Sequence, residues 1–558
     1  MNFLETIVQN LHQLQNQPIL REIHDQQWVD ISAAALALQI RRARTFIANQ
    51  GVCPGDRVAL LAPNSARWVA LELAILAEGA IVVPLYSRQS LPELAKMLAD
   101  CQPKLLLVGD SALGEAMTEI WLTPGAIALV DDAFDAEPTQ AAPYPIPADA
   151  VIALIYTSGT SGASKGVMLT RANFDYMIPL ISQRLEAATQ PSTDKGGAFH
   201  FLPFCFAPAH LILWAQLYQG RPLTLCTQLD NLAADLRYAD PAFFLTVPMV
   251  LERFRSGIEQ ALKQQGRIAQ WLFTVGQQAY DRSLTGHRWV DALIFKGVSL
   301  TLLAQIKRAI APHLQLIICG SAPLRIETQR WFAMIGIPIY QGYGLTETTG
   351  LVTLDPLQSP IPGYVGHAIQ DCEVRLTPQG ELVCRGPNIF AGYWNNPAAT
   401  AQVIREGWFH TGDQAEVSAS GHWRIIGRLK HLLVPTSGHN IAPEPLEQRL
   451  IEACDGMEQA VLVGHGRPFL CAILTGSVDE STLAIAIHHF NETVPHYQKI
   501  RKFYLTREPF SQANGLLTAN GKLRRTAIQA YFQTAIDDLY QTTPDRSNSQ
   551  YLTLGGIS

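Results

Sequence analysis

Short apolar strand-like runs recur between longer helical stretches through roughly the first 350 residues, and this alternation restricts the fold more than any other feature of the chain. The runs are DRVALLAP (Asp56 to Pro63), IVVPLY (Ile81 to Tyr86), KLLLVGD (Lys104 to Asp110), LTLCTQL (Leu223 to Leu229), FFLTVP (Phe243 to Pro248), LQLIICGSAP (Leu314 to Pro323) and IPIYQGYG (Ile337 to Gly344). Such βα alternation predicts a layered α/β body. Around Gly366 the character changes. From CEVRLTPQGELVCRGP to HWRIIGR the strand-like runs are short and joined by Gly-containing turns, which predicts a small β-rich subdomain over about 360–428. After Arg428 a segment of about a domain's length remains, opening with LKHLLVPTSGHN. A chain of 558 residues is too long for one hydrophobic core, so a large domain over 1–428 and a smaller one over 429–558 are expected.

Composition removes several classes of function. Apolar residues make up 48% of the chain, charged residues 16%, and the formal net charge is −6, which fits neither a disordered chain nor a basic nucleic-acid binder. Nine cysteines occur without a CxxC pair, so neither a zinc site nor a disulfide framework is suggested, and a reducing cytoplasm is the natural compartment. The N-terminus MNFLETIVQNLHQ lacks a basic segment ahead of a long apolar run, so no signal peptide is expected. The window WVALELAILAEGAIVVPLY (Trp68 to Tyr86) is broken by Glu72, Glu78 and Gly79, and reads as a buried helix and a strand, not a membrane span.

The chemistry-bearing residues fall in compact motifs. IYTSGTSGASKGVMLT (Ile155 to Thr170) places three glycines, five hydroxyls and Lys165 between Thr157 and Gly166, so backbone N–H groups have room to approach an anion. It is not a Walker A loop, since Ser164 and Gly166 flank the lysine. On composition alone, an anion site and a surface turn stay equally open. YGLTETTG (Tyr343 to Gly350) follows a strand-like run, which puts Thr346 and Glu347 at a strand's C-terminal end, where open α/β sheets place ligands. Thr346 offers a hydroxyl to a phosphate oxygen, and Glu347 offers a hard carboxylate to Mg²⁺, although the motif alone reads somewhat more readily as an exposed turn. WFHTGD (Trp408 to Asp413) precedes IIGRLK (Ile425 to Lys430), and an Asp with an Arg can grip the hydroxyl edge of a sugar, although either alone reads equally as a surface charge. NGLLTANGKLRR (Asn514 to Arg525) presents Lys522 on a glycine turn, which in isolation reads as a solvated basic hairpin.

Together these motifs resemble the adenylate-forming superfamily of acyl-CoA synthetases, adenylation domains and luciferases, in order and spacing along nearly the whole chain. GVCPGDRVALLAPNSARW, TVPMVLERF, CGSAPL before YGLTE, and RGPNIFAGYWNNPAAT before WFHTGD make the likeness closest to bacterial long-chain fatty acyl-CoA synthetases. The resemblance implies that Lys165 and the loop residues Thr157, Ser158, Gly159, Thr160, Ser161 and Gly162 hold the β- and γ-phosphates of ATP. It implies that Thr346 meets the α-phosphate, that Glu347 binds Mg²⁺, and that Ser321, Ala322, Pro323, Tyr343 and Gly344 line the adenine site. Asp413 and Arg428 would hold the ribose. Lys430 would be the hinge of a mobile α+β C-terminal domain, Lys522 would bridge the substrate carboxylate and the α-phosphate, and Gly438 would border the thiol channel. The implied activity is ATP-dependent formation of an acyl-AMP from a medium- or long-chain fatty acid, then transfer to CoA. A phosphopantetheine carrier protein as acceptor, or a nucleotide-binding homologue with impaired catalysis, are the alternatives; the second predicts damage at Glu347, Asp413, Arg428 or Lys522, and all four are present.

The chain departs from the family pattern at four places. Ser164 stands where Pro usually precedes the loop lysine, and Ser161 where Thr is usual. Phe206 in FLPFCFAPAH replaces a common His, with His210 too far along to be its equivalent, and His431 follows the hinge lysine in place of Asp. Two apolar stretches carry open readings. FHFLPFCFAPAHLILW (Phe199 to Trp214) is either core or the lining of an acyl tunnel. LIFKGVSLTLLAQIKRAI (Leu293 to Ile310) is either a half-buried helix or a peripheral contact with the inner membrane surface. The end of the chain, TTPDRSNSQYLTLGGIS, is a tail without an assigned role.

Overall fold

A computed structural model describes residues 1–121, 125–158, 164–189, 197–286, 289–358, 360–518 and 521–541. The chain divides into two compact units: Met1–Val374 with Cys384–Phe409 and Ser418–Trp423, and Arg375–Val383 with His410–Val417 and Arg424–Ser558.

The first unit is built on two sheets. Each of the seven apolar runs contains a strand, and the helices between them supply the layers of an α/β body. One sheet has seven strands in the order Gly392–Tyr393, Ser164–Thr170, Val151–Ser158, Ile81–Pro84, Arg57–Leu61, Leu105–Val108, Ala126–Leu129. Its middle is parallel, and its edge is made antiparallel by the hairpin Val151–Ser158 and Ser164–Thr170. The other sheet has nine strands, among them the parallel neighbours Phe243–Thr246, Leu316–Cys319 and Ile339–Tyr343. The Trp68 to Tyr86 window forms the buried helix Ala66–Ala77, capped by the Ser65 side chain on the Trp68 N–H, and then the strand Ile81–Pro84. Glu72 does not expose that helix to water. It is fully buried, with Oε1 2.5 Å from His210 Nε2 and Oε2 accepting from Trp214 Nε1 at 3.2 Å.

Phe199, Phe201, Phe204 and Trp214, from the apolar stretch Phe199 to Trp214, are all core residues, which favours packing over a tunnel for most of it. Phe206 is half-buried, 6.1 Å from Tyr86 ring to ring. Leu293 to Ile310 lies within consecutive helical turns, Trp289–Val298, a π-helical turn Ser299–Leu303, and Ala304–Ile310. Together they make a helix, Trp289–Ile310, that is long and apolar enough to cross a bilayer by length and composition, whereas the sequence suggested only a half-buried helix or a peripheral contact there.

The second unit carries a three-stranded sheet, Met457–Val463, Leu470–Gly476 and Ile500–Thr506. Its strands are apolar at successive positions because both faces are covered. Ala460, Leu462, Ala472 and Leu474 join a core with Leu446, Leu450, Leu483 and Ile487 from two helices. Val461, Val463, Cys471 and Ile473 point the other way, into a core with Ile528, Ile536 and Leu539 from the last two helices. The β-rich part is made of the strands Glu373–Leu376, Glu381–Arg385, Ile404–Arg405, Trp408–Val417 and Trp423–Arg428, with tight turns at Gly380 and Gly421.

Candidate functional site

In the first unit the site grows from the antiparallel hairpin. Thr157 pairs with Lys165 and Ser158 with Ser164, so the ladder runs to the foot of the glycine-rich loop. Gly159, Thr160, Ser161 and Gly162 lie outside the described residues. A proline has no N–H and would weaken such a ladder, whereas Ser164 continues it as a strand residue. Lys165 thereby leaves the sheet at a fixed position, and its Nζ stands 4.8 Å from the centroid of the Tyr393 ring.

Tyr393 comes from AGYW, whose short strand Gly392–Tyr393 pairs with Met168 and Val167 on the lysine's own strand. The Ala391 N–H donates to Met168 O at 3.0 Å and the Trp394 N–H to Gly166 O at 2.8 Å, so the tyrosine backbone is pinned on both sides. Its hydroxyl donates to Glu347 Oε1 at 2.8 Å. A single buried ring therefore connects the loop lysine to the carboxylate of YGLTE.

Glu347 sits in the helical turn Thr346–Thr348, held by three contacts. The Phe390 N–H donates to Glu347 O at 3.0 Å, the Leu345 N–H to Thr348 Oγ1 at 2.9 Å, and Thr349 Oγ1 to Asn388 O at 2.7 Å. The turn folds back tightly enough that a Cβ at Gly344 would lie 2.4 Å from Gly350 O, which explains glycine there. Thr346 and Glu347 are half-buried. Among the described residues Glu347 Oε2 takes no hydrogen bond, and no group of three or more His, Cys, Asp and Glu residues could hold a metal. One open carboxylate oxygen fits a Mg²⁺ ion that keeps waters and takes its remaining ligands from phosphates.

Ser321, Ala322 and Pro323 are exposed just beyond the strand Leu316–Cys319, and Tyr343 ends the neighbouring parallel strand Ile339–Tyr343. A Cβ at Gly320 would stand 3.1 Å from Gly342 O, so these strand ends approach closely. The structure thus brings Ser321 to Pro323 and Tyr343 to Gly344 together at the C-terminal edge of one sheet. Thr246 ends the adjacent strand Phe243–Thr246, and its buried Oγ1 has no hydrogen-bond partner among the described residues.

In the second unit Asp413 and Arg428 meet. Arg428 Nε lies 2.8 Å from Asp413 Oδ1, with the aspartate buried and the guanidinium one-third exposed. The TGD turn is fixed from its other side, since Thr411 Oγ1 donates to Leu382 O at 2.7 Å and the Gly412 N–H to Glu381 Oε1 at 2.9 Å. Lys430 is exposed in the turn Leu429–His431, and Gly438 is exposed with φ +78°, a turn conformation that favours glycine. Lys522 is exposed on a hairpin in which the Thr518 N–H donates to Lys522 O at 2.8 Å and the Lys522 N–H to Thr518 Oγ1 at 3.0 Å.

The last arginine of the segment is not solvated. Arg525 is largely buried, bonded to both Glu447 oxygens and 3.6 Å from Glu444. Glu444 Oε1 is also 2.6 Å from His431 Nδ1, so the residue after Lys430 and the segment after Lys522 belong to one network. Burial alone would raise the Glu444 carboxyl, but the His431 hydrogen bond and Arg525 hold it below its ordinary value. Glu447, wholly buried, is raised by desolvation.

Sequence reasoning assigned no role to Tyr393, Arg525 or Glu447. Tyr393 was visible only as an aromatic in a motif, because its partner Glu347 lies 46 residues away.

A layered α/β body followed by a small α/β unit, with these strand-end motifs, is the architecture of adenylate-forming enzymes. The pattern of the family described as AMP-binding enzyme matches residues 10–394, that of the AMP-binding enzyme C-terminal domain matches residues 430–544, and the chain belongs to this family. Among its relatives is the long-chain-fatty-acid–CoA ligase FadD15 of Mycobacterium bovis, 28% identical in an alignment of 578 positions that covers 94% of either protein. Another is the long-chain-fatty-acid–CoA ligase ACSBG1 of Bos taurus, 26% identical over 95% of this chain and 83% of that protein. Two solved structures share the fold. ATP-bound MatB from Rhodopseudomonas palustris superposes with a TM-score of 0.73 at 21% identity, covering 96% of this chain and all of that one. The o-succinylbenzoate CoA synthetase MenE of Bacillus subtilis, in complex with its acyl-adenylate intermediate, gives 0.74 at 20% identity, covering 94% and 97%.

Proposed function

We propose that this protein is an AMP-forming acid–thiol ligase. It activates a medium- or long-chain fatty acid with ATP, releases pyrophosphate, and passes the acyl group from acyl-AMP to the thiol of CoA. The observation that carries this reading is the Lys165, Tyr393 and Glu347 arrangement, in a chain aligned over nearly its whole length with long-chain-fatty-acid–CoA ligases.

Attack of a carboxylate on the α-phosphate brings two anions together, so cationic groups must be held in place beforehand. Lys165, with the residues from Thr157 to Gly162, offsets charge on the departing pyrophosphate, and Thr346 donates to the α-phosphate. Glu347 uses its open oxygen to hold Mg²⁺, which when bound neutralises polyphosphate charge. Ser321 to Pro323 and Tyr343 to Gly344 receive the adenine, and Asp413 with Arg428 receives the ribose hydroxyls. Lys522 bridges nucleophile and phosphorus. Lys430 is the pivot between 1–428 and 429–558; turning about it withdraws Lys522 and admits the thiol past Gly438. The enzyme works in the cytoplasm, in peripheral contact with the membrane where long-chain acids partition.

Pyrophosphate release measured over a fatty-acid chain-length panel, with CoA and then a holo-carrier protein as acceptor, tests the reading. Activity with CoA on medium or long chains supports it; turnover with the carrier alone reassigns the acceptor; no activation of any carboxylate overturns it. Lys522→Ala should abolish adenylation while sparing thioester formation from pre-made acyl-AMP. Equal loss of both steps contradicts the pivot.

A further inference from the structure

The helix Leu91–Cys101 carries an acid where its own electrostatics oppose one. Asp100 lies in the last turn, at the negative end of the helix dipole, where a cation is favoured and a carboxylate is not. Arg57 supplies the cation: its Nε donates to Cys101 O and its Nη2 to Gln102 O, both at 2.9 Å. The helix end is therefore satisfied without the Asp100 side chain, and the reason for the acid lies in what it grips.

Its carboxylate and its carbonyl hold two different segments of the first unit. Asp100 Oδ2 accepts from the Tyr156 hydroxyl at 2.6 Å, within the range of a bond to an ionised acceptor. Asp100 O accepts from Asn395 Nδ2 at 3.1 Å. Tyr156 is the strand residue before Thr157, and its partner across the ladder is Gly166, next to Lys165. Asn395 follows Tyr393 by two residues. Between them, Trp394 donates its N–H to Gly166 O at 2.8 Å, and its ring centroid lies 5.6 Å from the Arg57 guanidinium carbon. The Lys165 Nζ and the Tyr393 ring, 4.8 Å apart, thus belong to two segments that one helix end ties together. Burial first, and then Cys101 and Asp100, hold the Tyr156 phenol above its ordinary pKa, so it remains a donor at working pH.

We infer that Asp100 and Tyr156 are positioning residues for adenylation: by fixing the strand that carries Thr157 and Lys165 against the segment that carries Tyr393, they set how firmly the ATP polyphosphate is held. They act through Lys165 and, by way of the Tyr393 hydroxyl, through Glu347. That this serves ATP rests on the roles given to Lys165 and Glu347 above.

The test compares Tyr156→Phe, Asp100→Asn and Asn395→Ala with the parent in three measurements: calorimetric affinity for ATP with Mg²⁺, steady-state pyrophosphate release, and thioester formation from pre-made acyl-AMP and CoA. Tyr156→Phe keeps the ring and removes the donor, so ATP affinity should fall and the KM for ATP rise by roughly tenfold. The KM for the fatty acid and the thioester step should stay within about twofold of the parent, because neither uses the polyphosphate grip. Asp100→Asn still offers Tyr156 an acceptor and should hold ATP affinity within about threefold. In the double variant Tyr156→Phe/Lys165→Ala, ATP should bind little more weakly than to Lys165→Ala alone, since the tyrosine acts through the lysine. The inference is overturned if Tyr156→Phe binds ATP as the parent does, if both half-reactions fall together as a merely structural role requires, or if the losses in the double variant add. Should Tyr156→Phe not fold, Asn395→Ala decides, because its side chain is exposed and its loss frees the Tyr393 segment alone; parent-like ATP affinity there overturns the inference. Weaker ATP binding by these variants of a protein that activates no carboxylate would keep the positioning role and reject the ligase reading. Carboxylate activation with parent-like ATP affinity in every variant would do the reverse.

Discussion

Glu72 and Glu347 are both carboxylates steadied by an aromatic donor, and the contrast between them shows what separates a structural acid from a reactive one. Glu72 is wholly buried, with one oxygen beside His210 Nε2 and the other accepting from the Trp214 indole, so both oxygens are engaged. Glu347 is half-buried and takes the Tyr393 hydroxyl on one oxygen only. The first spends its full acceptor capacity on the fold. The second retains capacity for a ligand and is oriented toward it by a neighbour that also lies under Lys165.

The sharpest way to break this contrast is to delete the acid that has no catalytic part. Glu72→Ala leaves His210 and the Trp214 N–H without their shared partner in the core, and removing one member of a buried polar pair costs about 3–5 kcal/mol. Chemical denaturation should show that loss in the first unit, while the folded fraction keeps its rate of pyrophosphate release. A variant of ordinary stability and poor activity would place Glu72 in the chemistry instead. Glu347→Gln is the mirror experiment. The amide still accepts the Tyr393 hydrogen bond but no longer offers an anionic oxygen, so adenylation should fall by roughly 10²–10³, about 3–4 kcal/mol of barrier, with the melting temperature unchanged.

Tyr393→Phe tests the link between the two. It keeps the ring beneath Lys165 and removes the hydroxyl that steadies Glu347. A hydrogen bond to a charged group contributes about 1.5–3 kcal/mol, so pyrophosphate release should drop roughly tenfold or somewhat more, with a higher Mg²⁺ concentration needed for half-maximal rate. An unaltered Mg²⁺ requirement would leave Tyr393 a packing residue.

The sequence exposed these two regions unequally for a physical reason. The strands were legible because burial on both faces demands consecutive apolar residues, as in Leu105–Val108 and Phe243–Thr246. Glu72 announced itself only as an interruption, since nothing local shows that a histidine and a tryptophan on the helix Ala207–Gln219 fold back upon it. Glu347 was legible from its place after a strand, whereas Tyr393 reaches it through an edge-strand pairing that no local spacing encodes. Arg525 misled for the converse reason. KLRR has the composition of a solvated hairpin, but Glu444 and Glu447, on the helix Pro443–Glu452, draw its second arginine inside.

Asp355 gives the smallest and most graded test, because it is a third acid, buried like Glu72 but only partly partnered like Glu347. It accepts from the Gln341 N–H at 2.7 Å through Oδ2, returns its own N–H to Gln341 O at 2.9 Å, and leaves Oδ1 buried without a donor among the described residues. Desolvation is the dominant influence on it and raises its carboxyl to about 7, against the smaller opposing pulls of the Gln341 N–H and Arg184. Since the unfolded chain releases this proton near pH 4, the folded state binds the extra proton between there and neutrality. Its stability must then decline as pH rises through that interval and level off above it. Between about pH 6 and 8 the first unit should lose on the order of 1 kcal/mol from this group, seen as a lower denaturation midpoint at the higher pH. Asp355→Asn keeps an acceptor for Gln341 and cannot ionise, so the slope should flatten and the variant should be the more stable protein at pH 8. If the slope persists in the variant, another group carries it. In that case Asp355, despite its burial, resembles Glu347 more than Glu72, holding its charge because something solvates the oxygen left without a donor.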